Sequence, residues 1–276
     1  MGDVMTEFAS RYDTLLLRRE RSRLYVTLNR PLVKNALNPI LIGELRTVFE
    51  NLRERRDIKV VILRGAGGTF CAGADLKNME QSLGDKPRLG EKDPIALGNR
   101  EFGTFLEMVN TTPQVVVAAV EGYAIAGGFG ILCVSDVAIC TEDAGFAMSE
   151  TAIGIVPAQI APFVAARIGV PQTRHLALTA ARFKGPEAHR LGIAHYLVKD
   201  SAALDLKLEE ILKQIDRCAP MANAATKAVV MKVGSEPLNQ VLDFAAEKFA
   251  EARRSPEAAE GLRAFAEKRP PKWAIE

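Results

Sequence analysis

Three stretches of the chain carry residues whose types and spacing could do chemistry. Gly127-Gly128 follows the apolar run Val115 to Val120 and the break at Glu121-Gly122, and leads into Phe129 to Val134. The first run reads as a strand buried on both faces, and the last as the opening turns of a buried helix. A strand feeding a glycine pair at a helix start leaves backbone N–H groups unpaired at the positive end of a helix dipole. Such a place suits an oxygen that gains negative charge. A second glycine-rich segment, 64–77 (RGAGGTFCAGADLK), also joins a strand to a helix. Its spacing fails the G-x-G-x-x-G dinucleotide fingerprint, because Phe70 stands where the third glycine belongs, and no Walker A pattern occurs. It reads instead as a second loop of backbone donors, whose small residues let a ligand approach the main chain. The third candidate is one carboxylate, Glu150, among the small and apolar residues of 146–157 (FAMSETAIGIVP). Taken alone, a glutamate is usually a capping or solvated acid.

The elements that must position these residues are legible from periodicity and punctuation. Residues 15–18 and 24–28 are strand-like runs around polar Glu20 to Arg23 and read as a hairpin. Asn38-Pro39 is a helix start, N-cap followed by first-turn proline, and the helix runs to about Arg55. Its apolar face is Leu41, Leu45, Val48, Phe49 and Leu52. Lys59 to Leu63 is a buried strand, and residues 80–95 are a polar surface loop. A helix over Ala96 to Asn110 follows, then the central strand, and then a short strand over Val137 to Cys140. From Ala161 a helical period runs through His175 and Glu187 to Leu191, and Ala194 to Val198 is the last strand. Residues 201–268 are four helices, 202–217, 221–233, 238–254 and 256–267, punctuated by Pro220, Gly234 with Pro237, and Pro256. This tail has too little core of its own and is expected to pack on the rest of the chain or on another subunit.

Composition narrows the function classes. The 276 residues are 48% hydrophobic and 25% charged, ordinary for a soluble globular protein. A net charge of +2 gives no general attraction to nucleic acid or anionic membrane. Cys71, Cys133, Cys140 and Cys218 form no CxxC pair and read as reduced thiols of a cytoplasmic protein. His175, His189 and His195 lack HxxxH or HExxH spacing, so no metal site is expected. The first residues lack the apolar core of a secretory signal, and the match of Met1-Gly2 with Thr6 to a myristoylation pattern reads as accidental.

Four stretches together resemble the enoyl-CoA hydratase/isomerase (crotonase) superfamily: Leu28-Asn29-Arg30-Pro31 with Asn35-Ala36-Leu37, Phe70 to Leu76, Glu121 to Gly128, and Phe146 to Pro157. The resemblance runs from about Thr14 to Trp273. It implies an α/β fold, a core of ββα units in a spiral over 12–200, and an all-helical C-terminal region over 201–276 that mediates trimerisation. Members are usually trimers or dimers of trimers. It also implies an acyl-CoA substrate, with coenzyme A as part of the substrate and no separate cofactor. The thioester oxygen would lie between the backbone N–H groups of Ala74 and Gly127, which stabilise enolate charge as water adds at Cβ or a proton leaves Cα. Ala72, Ala74, Asp75, Leu76 and Lys77 are carried over as substrate contacts, with Arg30 and Lys34 near the nucleotide end. Phe265 and Lys268 resemble residues that reach a neighbouring subunit's coenzyme A pocket.

One departure bears on mechanism. Typical hydratases of the family carry two catalytic glutamates, one of them in a G-G-G-C-E run. The corresponding stretch reads Ala126-Gly127-Gly128-Phe129-Gly130, so Gly130 replaces the first glutamate, while Glu150 matches the second. One acid could hold a water, take its proton and return a proton to Cα; its apolar setting should raise its pKa. The same acid could move a proton from Cα to Cγ, which is Δ3–Δ2 enoyl-CoA isomerisation. A third reading is a non-catalytic coenzyme A- or RNA-binding protein that kept the fold. The stretches 127–136, 156–163 and 217–227 and the ending 268–273 resemble bacterial hydratases of branched glutaconyl-CoA esters. These include isohexenylglutaconyl-CoA hydratase and, less closely, methylglutaconyl-CoA hydratase; these members also lack the first glutamate.

Overall fold

The computed structural model describes residues 12–81, 87 and 90–274. Residues 82–86 and 88–89 of the expected 80–95 loop, and the N-terminal residues of the myristoylation pattern, lie outside the described residues. Strands β1 (Leu15–Glu20) and β2 (Arg23–Leu28) form the expected antiparallel hairpin. Helix α1 (Pro39–Leu52) begins where Asn38 Oδ1 accepts from the Leu41 N–H at 2.9 Å, and it buries the five apolar residues of its expected face. There follow β3 (Val60–Gly65), α2 (Leu76–Gln81), α3 (Pro94–Thr111) and β4 (Val115–Val120). Next come β5 (Tyr123–Ile125), α4 (Gly127–Cys133), β6 (Val137–Thr141) and β7 (Gly145–Ala147). After a 3₁₀ turn at Glu150–Ile153 come α5 (Ala161–Ile168), α6 (Val170–Thr179), β8 (Arg182–Lys184), α7 (Gly185–Arg190) and β9 (Tyr196–Val198). The chain ends in α8 (Ser201–Asp216), α9 (Pro220–Lys232), α10 (Leu238–Arg253) and α11 (Pro256–Ala266).

The strands form two sheets. The larger runs β1-β2-β3-β4-β6-β9, parallel except for the first pair, and the smaller runs β5-β7-β8. Isolated bridges Leu37↔Ala74 and Cys71↔Ala124 continue the smaller layer. A repeat is therefore visible: a strand in the large sheet, a short extended piece in the small one, then a helix. It occurs as β2, Leu37 and α1; as β3, residues 71–74 and α2; and as β4, β5 and α4. These are the turns of a ββα spiral. Each brings the junction between short strand and helix to the small-sheet layer.

Alternation along the central strands divides the core in two. Val61, Leu63, Val116, Ala118 and Val120 pack inward with α1, α3 and α4. Val60, Ile62, Val117 and Ala119 face Leu204, Leu208, Ile211, Leu212 and Ile215 of α8. Burying the valine, leucine and isoleucine side chains stabilises by about 1.5–3 kcal/mol each, so α8 is integral to the sheet's outer face. Helices α9 to α11 keep large apolar side chains exposed, among them Phe249, Leu262 and Phe265. Cys71, Cys133 and Cys140 are buried free thiols, as expected of core cysteines, whereas Cys218 is exposed. Among the described residues no helix is long and apolar enough to cross a membrane.

Candidate active site

The 73–74 peptide is oriented from one side by Leu37. Its N–H donates to the Gly73 carbonyl at 2.7 Å, and its carbonyl accepts from the Asp75 N–H at 2.8 Å. A trans peptide carries C=O and N–H on opposite edges, so the Ala74 N–H faces away from Leu37. Regular alternation from Ala72, whose N–H bonds Lys34 at 3.0 Å, would have turned Ala74 toward Leu37 instead. Gly73 at φ +92° inverts the phase, a conformation glycine adopts without steric cost. Beyond Ala74 lies the β5–α4 junction, since the Cys71 N–H bonds Tyr123 and the Ile125 N–H bonds Cys71.

That junction repeats the device. The Ala126 carbonyl accepts from the Gly130 N–H at 3.0 Å along α4, so the Gly127 N–H on the same peptide points out of the helix start. Among the described residues neither the Ala74 nor the Gly127 N–H has an acceptor. The residues preceding the two donors abut: a Cβ at Gly73 would lie 2.9 Å from Ala126 Cβ and 3.0 Å from the Ile125 carbonyl oxygen. Two free amides thus issue from adjoining peptides. Gly128 is fixed by close approach, because a Cβ there would fall 2.6 Å from the Cys71 carbonyl oxygen. Burial pushes the Cys71 thiol up to about 12, which makes it packing material and no nucleophile.

Ala126 sits at φ 49°, ψ −118°, ground that normally belongs to glycine. Such strain costs about 1–3 kcal/mol, offset in a glycine variant by roughly 0.5–1 kcal/mol of unfolded-state entropy. A126G should therefore raise unfolding free energy by about 1 kcal/mol; an unchanged or lower denaturant midpoint would refute the strain.

Glu150 opens the 3₁₀ turn after β7 and is 9% exposed. Among the described residues its buried Oε2 has no hydrogen-bond partner. Burial raises its pKa above the ordinary glutamate value, opposed in part by a bond to its own backbone N–H. A carboxylate so placed can accept and return a proton.

The chain matches the family model for enoyl-CoA hydratase/isomerase over residues 18–275. It belongs to the crotonase superfamily. It is 32% identical to carnitinyl-CoA dehydratase of Escherichia coli over 267 residues, 95% of this chain and 98% of that one. Among solved structures, AtuE of Pseudomonas aeruginosa aligns with TM-score 0.91 at 49% identity, covering 95% of this chain and 100% of that one. An enoyl-CoA hydratase/isomerase from Marinobacter aquaeolei aligns with TM-score 0.92 at 46% identity, covering 95% and 99%. The chain is accordingly an enzyme of this superfamily, and its fold is the crotonase fold.

Within the crotonase frame, Gly130 is enclosed. A Cβ there would overlap Ile160 Cγ2, lie 3.0 Å from Ile160 Cβ and 3.5 Å from Leu106 Cδ1. Ile160 is itself buried. Apolar packing therefore encloses Gly130, the position that the resemblance aligns with the family's first glutamate. Sequence reasoning registered the missing acid, and included Ile160 only as part of the 156–163 resemblance, with no role assigned to it.

The other expected residues fall into three groups. Ala74, Leu76 and Lys77 are exposed beside the free amide, with Ala72 partly buried. Arg30 and Asp75 meet each other, Nη2 to Oδ2 at 2.9 Å, and Lys34 Nζ lies over the Tyr123 ring at 5.0 Å from its centroid. Phe265 is 87% exposed and Lys268 follows α11 at φ 50°. Among the described residues no hydrogen bond, ion pair or ring contact joins those two to the 72–77 or 126–130 segments. Leu37 and Phe102 border Gly127, where a Cβ would lie 2.6 Å from Leu37 Cδ1 and 3.2 Å from Phe102 Cζ. Phe102 carried no signal beyond helical period.

Proposed function

We propose that the chain is an enoyl-CoA hydratase that adds water across Cα=Cβ of a 2-enoyl-CoA, its acyl group of the branched glutaconyl type. The observation that carries this reading is the pair of acceptorless amides from adjoining peptides, Ala74 and Gly127, together with a buried, partnerless Glu150 oxygen. In the reaction, Glu150 takes a proton from water as the water oxygen bonds to Cβ. The π electrons move onto the thioester oxygen, where the two N–H groups and the α4 dipole stabilise the enolate. The enolate then collapses as Cα takes a proton from Glu150, restoring the carboxylate. The thioester lies along Ala72, Leu76 and Lys77, with Lys34 toward the nucleotide end, while the Asp75 carboxylate is engaged by Arg30. The exposed apolar faces of α9 to α11 support assembly as a trimer or a dimer of trimers, which brings Phe265 and Lys268 to a neighbour's coenzyme A.

A second reading, Δ3–Δ2 isomerisation, is favoured by one observation: Ile160 packs where the family's first glutamate would stand, leaving Glu150 alone, and isomerisation needs only one acid. Turnover of 3-butenoyl-, crotonyl-, methylglutaconyl- and isohexenylglutaconyl-CoA in water labelled at oxygen separates them. Hydration puts label on Cβ in a 3-hydroxyacyl product, with the branched glutaconyl esters preferred. A shifted double bond with no label would replace the first reading by the second, and no turnover would sink both.

A further inference from the structure

We infer that Arg30, with Asp75 and Asn35, is a positioning device that sets the angle of the Ala74 amide, and not a ligand for coenzyme A phosphate. The inference rests on the proposed role of that amide. Leu37 orients the 73–74 peptide, so whatever fixes Leu37 against residues 73–75 fixes the donor. The Arg30 guanidinium spans this contact: one nitrogen donates to the Ala36 carbonyl, immediately before Leu37, and the other to Asp75 Oδ2 at 2.9 Å, immediately after Ala74. The two charged side chains are only 18% and 13% exposed, so the pair is largely shielded from water. A fork-shaped group with two fixed donors can make both bonds at once, which an ammonium on a flexible stem does poorly.

Asn35 anchors the other end. It is fully buried, its Oδ1 accepts from the Arg30 N–H at 2.8 Å, and its Nδ2 donates to the Ala66 and Thr69 carbonyls at 2.9 and 2.6 Å. Lys34 and Asn35 are both left-handed, at φ 51° and 55°, and the side-chain bonds of Asn35 hold that turn against the loop after β3. The turn, the salt bridge and the Leu37 bridge thus form a closed frame around one peptide plane. Within this frame the Arg30 charge is balanced by Asp75 and is not held out toward a phosphate.

A positioning role and a phosphate-binding role separate in kinetics. Holding a donor at its angle acts on the transition state, so its loss lowers kcat, whereas a phosphate contact acts equally on ground and transition states and raises KM alone. R30A and D75A are each expected to lower kcat by about 10–100-fold, with KM and the Kd of free coenzyme A within roughly twofold. The double variant should be no worse than either single variant, because both remove the same latch. D75N, which keeps an acceptor for the guanidinium, should recover most of the rate. The carbonyl stretch of a bound isotope-labelled thioester should move back toward its solution frequency in R30A and return in D75N, a signature that mere loss of stability does not give. Should R30A not fold, R30K and D75A carry the same comparison. A tenfold rise in the Kd of free coenzyme A with kcat unchanged would overturn the inference, as would an unmoved carbonyl stretch. If E150Q keeps full turnover while R30A loses it, the proposed mechanism fails and the latch stands; the reverse pattern removes the latch alone.

Discussion

E150Q should lower hydration kcat by about 10²–10⁴-fold, the range lost with a general acid–base group, while making the protein more stable. The two effects share a cause. Glu150 Oε2 is buried with no hydrogen-bond partner among the described residues, so the folded state holds a poorly solvated carboxylate. A raised folded-state pKa means that the native chain binds this proton more tightly than the unfolded chain does. Stability from the group is therefore fully present below the unfolded value and lost as pH rises through the raised folded value. At neutral pH the carboxylate is a net cost, and the neutral amide removes the charge. Denaturation of wild type and E150Q across pH 4–8 should thus converge at the acid end and favour E150Q at the neutral end. In activity, Glu150 must be ionised to take the proton from water, so kcat/KM should fall on the acid side with a midpoint above the usual glutamate range. Undiminished turnover by E150Q would end the acid–base assignment. A variant less stable than wild type at neutral pH would mean that the carboxylate is satisfied in solution.

What the sequence could disclose follows from the range of each interaction. The N-cap of α1 and its buried face are local, set by Asn38-Pro39 and a 3.6-residue period, and they are visible in the chain itself. The β4–α4 unit is legible for the same reason: a β-branched run ends in glycines. Strands β5, β7 and β8 were not legible, because three residues hold no period and exist only as pairs with distant partners. The 3₁₀ turn at Glu150 was equally silent. A donor loop over 64–77 could be read from its small residues, and the resemblance put the donor at Ala74, but its direction comes from Leu37, whose bonds no local pattern announces. Arg30 and Asp75 lie 45 positions apart, so their pairing appears only when the spiral brings two loops together.

Restoring the absent acid tests the packing around that spiral. G130E should not produce a two-acid hydratase; it should destabilise the chain by about 1–3 kcal/mol, the usual cost of overpacking, and add the cost of burying a charge beside apolar side chains. A Cβ at position 130 already overlaps Ile160 Cγ2, and the rest of a glutamate would meet Ile160 and Leu106. Shortening the obstruction alone is also unfavourable, since removing a buried isoleucine side chain costs about 2–5 kcal/mol. The two lesions are complementary in volume, however, so in G130E/I160A each should relieve the other. The double variant should be more stable than the sum of the single effects by about 1 kcal/mol or more, the coupling of residues in direct contact. That cycle, measured by urea unfolding, reports whether Ile160 occupies the carboxylate's place. Its kinetic counterpart is crotonyl-CoA hydration, which should rise in the double variant relative to I160A if a second acid assists in holding water. Additive stabilities, or a G130E chain that unfolds at the wild-type midpoint, would show that position 130 has room to spare. The single-acid character of the site would then be a matter of one lost side chain and not of a core repacked around its absence.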